Sequence, residues 1–267
     1  MKFLNREEAP ISQEIWNALD TTMIELLAKR LKIRSVVDFK AGLGFETDAV
    51  PTGKLKSLSK KEGVSVSVRE PVLMTEIRHD FSFSKANLED LKRDIEDLDD
   101  SELRAAANAF AGVENSLILN GLKEAKTKGL WDSLSHKPLK AKGARELMAA
   151  VARSLGAFNE EFVDGPFKLV VSDATFSLLV TESEGGETMK KKIENILGAG
   201  SIVISNAVGD DKALVISQRG GDFLFYSGLD VALGYDSEEK EKLNFFLIES
   251  CAFRIIAPEA AIQISLS

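Results

Sequence analysis

The chain has 267 residues, of which 44% are hydrophobic and 28% charged, as in an ordinary soluble globular protein and unlike a disordered one. The chain has 42 acidic and 34 basic residues, so its net charge is −8. This charge argues against non-specific electrostatic binding of nucleic acid by the protein surface as a whole. The lone cysteine, Cys251, excludes an intrachain disulfide, and we expect it to be buried in its apolar run. No signal segment or membrane span is evident, so a cytoplasmic location is expected.

The first predicted element is an amphipathic helix over residues 12–33, with Trp16, Leu19 and Met23 on one face. Ser12 is its expected N-cap. A segment broken by glycines and a proline follows, which is typical of a connection.

Residues 54–69 have the pattern of a β-hairpin, because Val64, Val66 and Val68 alternate with serines after a KKEG turn. A hairpin with one valine face and several lysines is too thin to be stable alone in water. We therefore expect it to lie on another surface.

The longest helical period in the chain runs over residues 99–130 and predicts a spine helix. The period leaves open whether Val113 or Glu114 faces the core. The large apolar residues on this face are Leu103, Phe110, Leu117 and Ile118.

Both ends of the spine carry helix signals. Asp99 is the expected N-cap, and Glu102 has the spacing of a capping box. Gly121 and Gly129 are the expected stop signals.

The remaining segments alternate between helical and strand patterns. Helices are predicted over 84–98, 144–158, 173–180 and 189–197, and strands over 74–83, 167–171, 201–205, 212–217, after the turn at 219–222 and from 243 onward. The loop at 181–186 is acidic and rich in glycine. We expect roughly residues 133–230 to form an α/β unit that is inserted into a discontinuous domain.

Residues that carry chemistry are scarce. His79 and His136 lie far apart, and no phosphate loop, nucleophile elbow or zinc motif is present. The acidic run at 89–102 lacks the central glycine of a calcium loop, so a solvated helix face is favoured. We predict no catalytic residue, no metal site and no cofactor.

Six segments resemble, in order and spacing, the encapsulins (linocin-like proteins). They are MKFLNREEAPISQEIW, RSVVDFKAGLG, VENSLILNGLKEAKTKGL, GPFKLVVS, SQRGGDF and APEAAIQISL. The resemblance implies an α+β fold shared with the major capsid proteins of tailed bacteriophages. Such a chain would divide into an N-terminal helix and cargo-facing segment (1–40), an extended hairpin loop (45–75), a peripheral spine-helix domain (76–132 with 231–267) and an axial domain (133–230).

The resemblance also implies a function without catalysis. Copies of the chain would assemble into an icosahedral nanocompartment around a cargo enzyme, such as a ferritin-like protein or a peroxidase, with the hairpin laid across a neighbour. No membrane or nucleic-acid partner is expected. Flavin is not expected either, because the matching junction SFSKANLED lacks tryptophan and tyrosine.

Two surfaces follow from the resemblance. The cargo's C-terminal peptide would dock on Arg34, Val36, Val37 and Asp38, although Arg34 and Asp38 are equally suited to fastening the helix end to the domain. A pore loop would comprise Glu182, Glu184, Gly185, Gly186 and Glu187, whose charge favours cations, unless it is an ordinary exposed loop. The alternatives for the whole chain are a prophage major capsid protein that packages DNA and an α/β enzyme or binding protein.

Overall fold

The computed structural model describes residues 2–93, 95, 99–125 and 127–267. The α-helices in these ranges are α1 (Gln13–Arg30), α2 (Lys85–Lys92), α3 (Ser101–Asn120), α4 (Gly143–Glu160), α5 (Asp173–Thr181) and α6 (Met189–Leu197).

The strands fall into two main sheets and four short ribbons. In chain order they are β1 (Asp38–Lys40), β2 (Ala49–Val50), β3 (Leu55–Lys61), β4 (Val64–Arg69), β5 (Val72–Leu73), β6 (Thr75–Ser84), β7 (Gly121–Leu122), β8 (Thr127–Lys128), β9 (Leu139–Ala141), β10 (Phe167–Val171), β11 (Ser183–Glu184), β12 (Glu187–Thr188), β13 (Ile202–Ile204), β14 (Lys212–Ser217), β15 (Phe223–Glu238), β16 (Lys242–Ile255) and β17 (Ala261–Leu266).

A four-stranded sheet in the order β1-β15-β16-β6 forms the peripheral unit. The long strands β15 and β16 pair antiparallel, β6 pairs antiparallel with β16, and β1 pairs parallel with β15 at the edge. The spine helix α3 packs on this sheet through β6 and β16, and α1 packs on α3. The N-terminal helix is therefore fixed to the domain through the spine.

A five-stranded sheet in the order β13-β10-β14-β17-β9 forms the axial unit, and α4, α5 and α6 pack together beside it. Strand β10 matches the predicted 167–171, β14 matches 212–217, and α6 matches 189–197. These segments are short and strongly patterned, with turn signals on both sides.

The sheets divide the chain differently from the predicted domains at two places. The C-terminal strand β17 pairs with β14 and β9, so residues 261–266 belong to the axial sheet. Residues 223–230 pair in the peripheral sheet as the start of β15. The prediction assigned both segments to the wrong domain because it followed their order along the chain. The domain of a strand depends instead on the strands with which it forms hydrogen bonds.

The spine helix starts later than predicted and lacks the predicted capping box. It begins at Ser101 after Asp100, whereas Asp99 accepts a 3.0 Å hydrogen bond from the backbone N–H of Ser101. The side chain of Glu102 accepts instead from the backbone N–H of Ser84 and pairs with Lys242 at 2.8 Å. Glu102 thus joins the helix to the sheet rather than capping the helix.

The spine ends at the predicted glycine. Gly121 has φ +73°, and a Cβ atom built there would lie 2.3 Å from the carbonyl oxygen of Thr127. A Cβ atom on Gly129 would lie 2.3 Å from the carbonyl carbon of Asn120. Two backbone segments therefore touch here, and both positions require glycine.

The predicted hairpin is present as β3 and β4, and every residue of both strands is exposed. The predicted helix over 84–98 is seen as α2, whose Ser84 cap accepts from the backbone N–H of Asn87. Residues 94 and 96–98 of that prediction lie outside the described residues.

Candidate assembly and cargo surfaces

Arg34 is the centre of a buried ionic cluster that joins three elements. It lies just after α1 and donates from Nε to Glu114 Oε1 of the spine at 2.9 Å and from Nη2 to the other oxygen of Glu114. Nη2 also donates to Glu249 Oε1 of β16 at 2.6 Å, and Nη1 donates to Asp230 Oδ1 at 2.7 Å. The side chain of Arg34 is 14% exposed, and those of Glu114 and Glu249 are fully buried.

Two aromatic rings cover the guanidinium. Its central carbon lies 4.9 Å from the ring centroid of Phe39 and 5.4 Å from that of Phe225. This arrangement suits arginine, whose flat, weakly hydrated head stacks on aromatic faces while it binds carboxylates. Burial alone would lower the pKa of Arg34, but the hydrogen bonds and charges of the carboxylates, Glu114 first, raise it. Arg34 is therefore a fixed cation.

Glu249 holds a proton within the cluster. Its Oε2 is buried and has no donor among the described residues, which an ionised carboxylate would not tolerate. Burial, followed by the charge of Glu114, raises the pKa of Glu249 to about 9. Burial also raises the pKa of Glu114, although Arg34 opposes that shift. One guanidinium thus faces two buried carboxyl groups, and the raised pKa of Glu249 makes it the one that keeps its proton.

The other predicted cargo residues are held in different ways. Val36 is fully buried, whereas Val37 and Asp38 are partly exposed. Oδ2 of Asp38 accepts a 2.5 Å hydrogen bond from the backbone N–H of Gly221, and the carbonyl of Val36 accepts from the side chain of Gln218 at 2.7 Å. Residues 34–38 therefore form one strip that is held to the domain. Within the strip, the side chains of Arg34 and Val36 point into the protein, and those of Val37 and Asp38 reach its surface.

Sequence reasoning missed the partners of Arg34. Glu114 and Glu249 each stand alone within an apolar pattern, VENSLIL on the spine and FFLIESCAF on β16. A single carboxylate at a core position needs a buried cation. An isolated glutamate within an apolar run was therefore a signal in the sequence that could have predicted such a pair. Which cation meets it depends on the tertiary fold.

Exposed apolar side chains continue along the chain from this strip. Phe39 in β1 is 37% exposed and Leu43 is 42% exposed. Strand β1 is the edge of its sheet, so its outer backbone groups are open. A cavity of about 470 Å³ follows, lined by Leu43, Phe45 and Phe3, and the rings of Phe45 and Phe3 stack at 4.2 Å.

The predicted pore loop forms a two-stranded ribbon, β11 with β12, whose turn holds Gly185 and Gly186 at positive φ. Glu182 and Glu187 are exposed. Glu184 is instead ion-paired with Arg145 and, at 2.9 Å, with Lys192. The negative charge of this loop is therefore partly neutralised by α4 and α6.

Other chemistry is sparse in the part of the chain that the structure describes. No cluster of three or more histidine, cysteine, aspartate or glutamate side chains suited to a metal ion occurs there. None of the described helices is both long and apolar enough to span a membrane. Cys251 is fully buried, as predicted, and burial raises the pKa of its thiol. His136 bonds to the carbonyl of Glu259 at 3.0 Å and lies edge-on to Phe158.

Comparison with known proteins decides the family. Residues 1–252 match the sequence profile of the Linocin_M18 family, described as "Encapsulating protein for peroxidase". The chain belongs to the encapsulin family. It is 30% identical over 268 residues to the type 1 encapsulin shell protein of Brevibacterium linens, covering 100% of both chains. It is 27% identical to that of Mycobacterium tuberculosis, covering 99% of this chain and 100% of the other.

Solved structures agree on the fold. This encapsulin-family chain superposes on a virus-like particle from Pyrococcus furiosus with TM-score 0.66 and 18% identity, covering 93% of this chain and 98% of the other. The capsid of Myoviridae phage XM1 matches with TM-score 0.56 and 12% identity over 89% and 92% of the two chains. The predicted α+β, phage-capsid-like fold is confirmed. The chain is a structural shell protein of a nanocompartment, and the prediction that it is not an enzyme is confirmed by its relatives.

Proposed function

We propose that this encapsulin-family shell is icosahedral, lies in the cytoplasm and holds a cargo enzyme, of which a peroxidase is the first candidate, by a C-terminal peptide. The family description names a peroxidase. The resemblance described above implies a peptide that docks beside the N-terminal helix. A ferritin-like cargo is the second candidate.

One observation carries the docking part of the proposal. The strip at residues 34–38 runs into a row of exposed apolar side chains, Phe39 and Leu43, along a free sheet edge. An extended, partly apolar peptide can pair with such an edge while its side chains enter apolar pockets. Val37 and Asp38 would contact the peptide. Arg34 and Val36 would act by fixing the strip, because the Arg34 cluster anchors it to the spine and to β16.

The test measures loading of a fluorescent protein that ends in the C-terminal tail of a candidate cargo peroxidase. Co-expression with the wild-type chain should give fluorescent particles. The variants V37D and F39D should load at least ten-fold less, which corresponds to about 1.4 kcal/mol. The control V113D alters an exposed valine of the spine, outside the strip, and should load normally. Particles of V37D and F39D that load as well as the wild type would refute the proposed site.

The proposed pore lining comprises Glu182, Glu184, Gly185, Gly186 and Glu187. What supports it is the exposure of Glu182 and Glu187 on a ribbon tip built on two glycines. Because Glu184 is paired with Arg145 and Lys192, the proposed cation preference rests on Glu182 and Glu187.

Purified particles also test the remaining alternative, a prophage capsid that packages DNA. Electron microscopy should show closed particles, and the ultraviolet spectrum should show no nucleic acid. Particles that carry nuclease-protected DNA would favour the capsid function, and a chain that stays monomeric at every concentration would refute assembly.

A further inference from the structure

Phe162 is the most exposed of the large apolar side chains in the described residues, at 87%. It lies in the turn after α4, at φ +56°, which bulky residues rarely adopt. A phenylalanine placed outward in this way loses the burial that its ring would gain in a core. Within one subunit the ring stays in water, so only a contact with another molecule would bury it.

The turn that presents Phe162 is fixed. The backbone N–H of Phe162 donates to the carbonyl of Asn159 at 3.2 Å, and that of Val163 donates to the carbonyl of Phe158 at 2.8 Å. Arg219 Nη1 donates to the carbonyl of Phe162 at 2.8 Å, while the rest of its guanidinium pairs with Asp222. The neighbouring Val163 is buried. The ring thus projects from an ordered turn.

Three acidic residues lie within two positions of Phe162 along the chain. Glu160, Glu161 and Asp164 are all exposed, and none of them forms an ion pair with another described residue. We call residues 160–164 the acidic corner. It combines one large apolar side chain with three carboxylates that form no ion pair, of which Asp164 lies close enough to Arg219 for their charges to interact.

The hairpin has the complementary character. Residues 54–69 include five basic residues and one acidic residue. The strand register places Lys56 opposite Val68 and Lys61 opposite Val64, so lysines share a face with the valines. Val66 lies between these pairs on the same face. This valine face offers an apolar strip flanked by positive charge.

The outer part of the valine face is open to solvent within its own subunit, with Val64 65% and Val66 50% exposed. Arg254 donates to the carbonyls of Pro51 and Thr52 at the base of the hairpin, and the side chains of residues 55–69 make no hydrogen bond to any other described element. One chain thus exposes two surfaces that complement each other. The valine face of the hairpin is apolar and flanked by lysines, and the acidic corner presents Phe162 among carboxylates.

We propose that the acidic corner receives the valine face of the hairpin from a second copy of this chain, with Phe162 packed on the valines and the carboxylates facing Lys56 and Lys61. The inference rests on the proposed assembly and names the surface on which the hairpin lies. The contact is head-to-tail, because each subunit gives a hairpin and receives another. Such contacts close into rings when the rotation between subunits closes.

Cysteine cross-linking tests the contact directly, since the natural Cys251 is fully buried and does not interfere. F162C is combined in turn with V64C, V66C and V68C, so that at least one pair meets the distance a disulfide needs. Assembled particles are oxidised with copper-phenanthroline and run on a non-reducing denaturing gel. We expect a ladder of dimers and larger chains for at least one pair, which collapses with reductant.

The matched control pairs F162C with S67C, on the opposite face of the hairpin, and should give at most a tenth of the ladder. Particles that form normally but give no ladder with any valine pair would overturn the docking and leave the assembly standing. A disulfide within one chain would overturn it as well. A wild-type chain that forms no particles would remove both proposals.

A charge exchange gives an independent readout. E160K with E161K should raise the concentration needed for assembly at least ten-fold, and K56E with K61E should do the same. Combining all four substitutions should recover most of the loss, because the attraction is restored with the signs reversed. A combined variant that assembles no better than either parent would refute the pairing of these charges.

Discussion

Arg34 donates two hydrogen bonds to the fully buried carboxylate of Glu114, which lies 80 residues further along the chain. This pair, together with Glu249, ties the end of the N-terminal helix to the spine and to β16. A buried ion pair of this kind stabilises little relative to an apolar replacement of the whole cluster, yet removing one partner leaves a buried charge uncompensated.

Replacing only the cation should therefore be costly. We expect R34M to lower the free energy of unfolding by about 3–5 kcal/mol, because Glu114 keeps its burial and loses its partner. Guanidinium unfolding followed by tryptophan fluorescence, at one protein concentration, measures the change. The control R104M removes an exposed arginine of the spine that pairs with the N-cap residue Asp100, and should leave the free energy of unfolding nearly unchanged. If R34M were as stable as the wild type yet loaded no cargo, Arg34 would act on the peptide instead.

The protonated carboxyl of Glu249 should make stability depend on pH. Its pKa is raised by burial to about 9 in the folded chain, well above the unfolded value. The stabilising contribution of its bound proton is complete below the unfolded pKa, near 4.5. It is lost as the pH rises to about 9, because the unfolded state ionises first.

The variant E249Q isolates this effect, since an amide keeps the shape and a donor but does not ionise. Its stability relative to the wild type should grow between about pH 5 and pH 9, with a slope approaching about 1.4 kcal/mol per pH unit. Thermal unfolding at a series of pH values measures the difference. A difference that stays constant over this range would show that Glu249 is ionised in the fold.

The close approach at the end of the spine predicts opposite effects for three glycines. G121A and G129A should each destabilise the chain by more than about 2 kcal/mol, because the new methyl group meets backbone atoms at 2.3 Å. G112A, inside the same helix and with no atom within 4 Å, should stabilise it by about 0.5–1 kcal/mol. Unfolding midpoints check all three. Equal effects at the three sites would contradict the close backbone approach at Gly121 and Gly129.

The proposed pore lining at residues 182–187 predicts how charge substitutions change the entry of metal ions into the shell. E182Q with E187Q should slow the entry of Co²⁺ by a factor of about 3 to 10, because the local concentration of cations falls. R145Q should speed entry, because it leaves Glu184 with one fewer positive partner. Quenching of a fluorescent cargo inside the particle measures the rate. The control E241Q, at an exposed site on the peripheral unit, should not change it, and unaltered rates in every variant would refute the pore assignment.

The sequence by itself determined where most elements lie and what class of protein this is. The short segments β10, β14 and α6 match their predicted bounds because local hydrophobic period and turn residues specify them. The spine ends at Gly121 because the backbone there requires a positive φ. The resemblance that identified the family extends over the whole chain, and a signal of that length does not depend on any single contact.

The tertiary structure alone decided which distant residues meet. A helical period could not choose between Val113 and Glu114, because the buried carboxylate is acceptable only where Arg34 arrives to pair with it. Chain order placed β17 in the wrong domain, because a strand joins the sheet whose edge and core accept it. For Arg34 the sequence left two roles equally open, contact with the cargo peptide and fastening of the helix end. The buried cluster around Arg34 is visible only in the folded chain, since burial and charge compensation are properties of the assembled core and not of the segment that carries the residue.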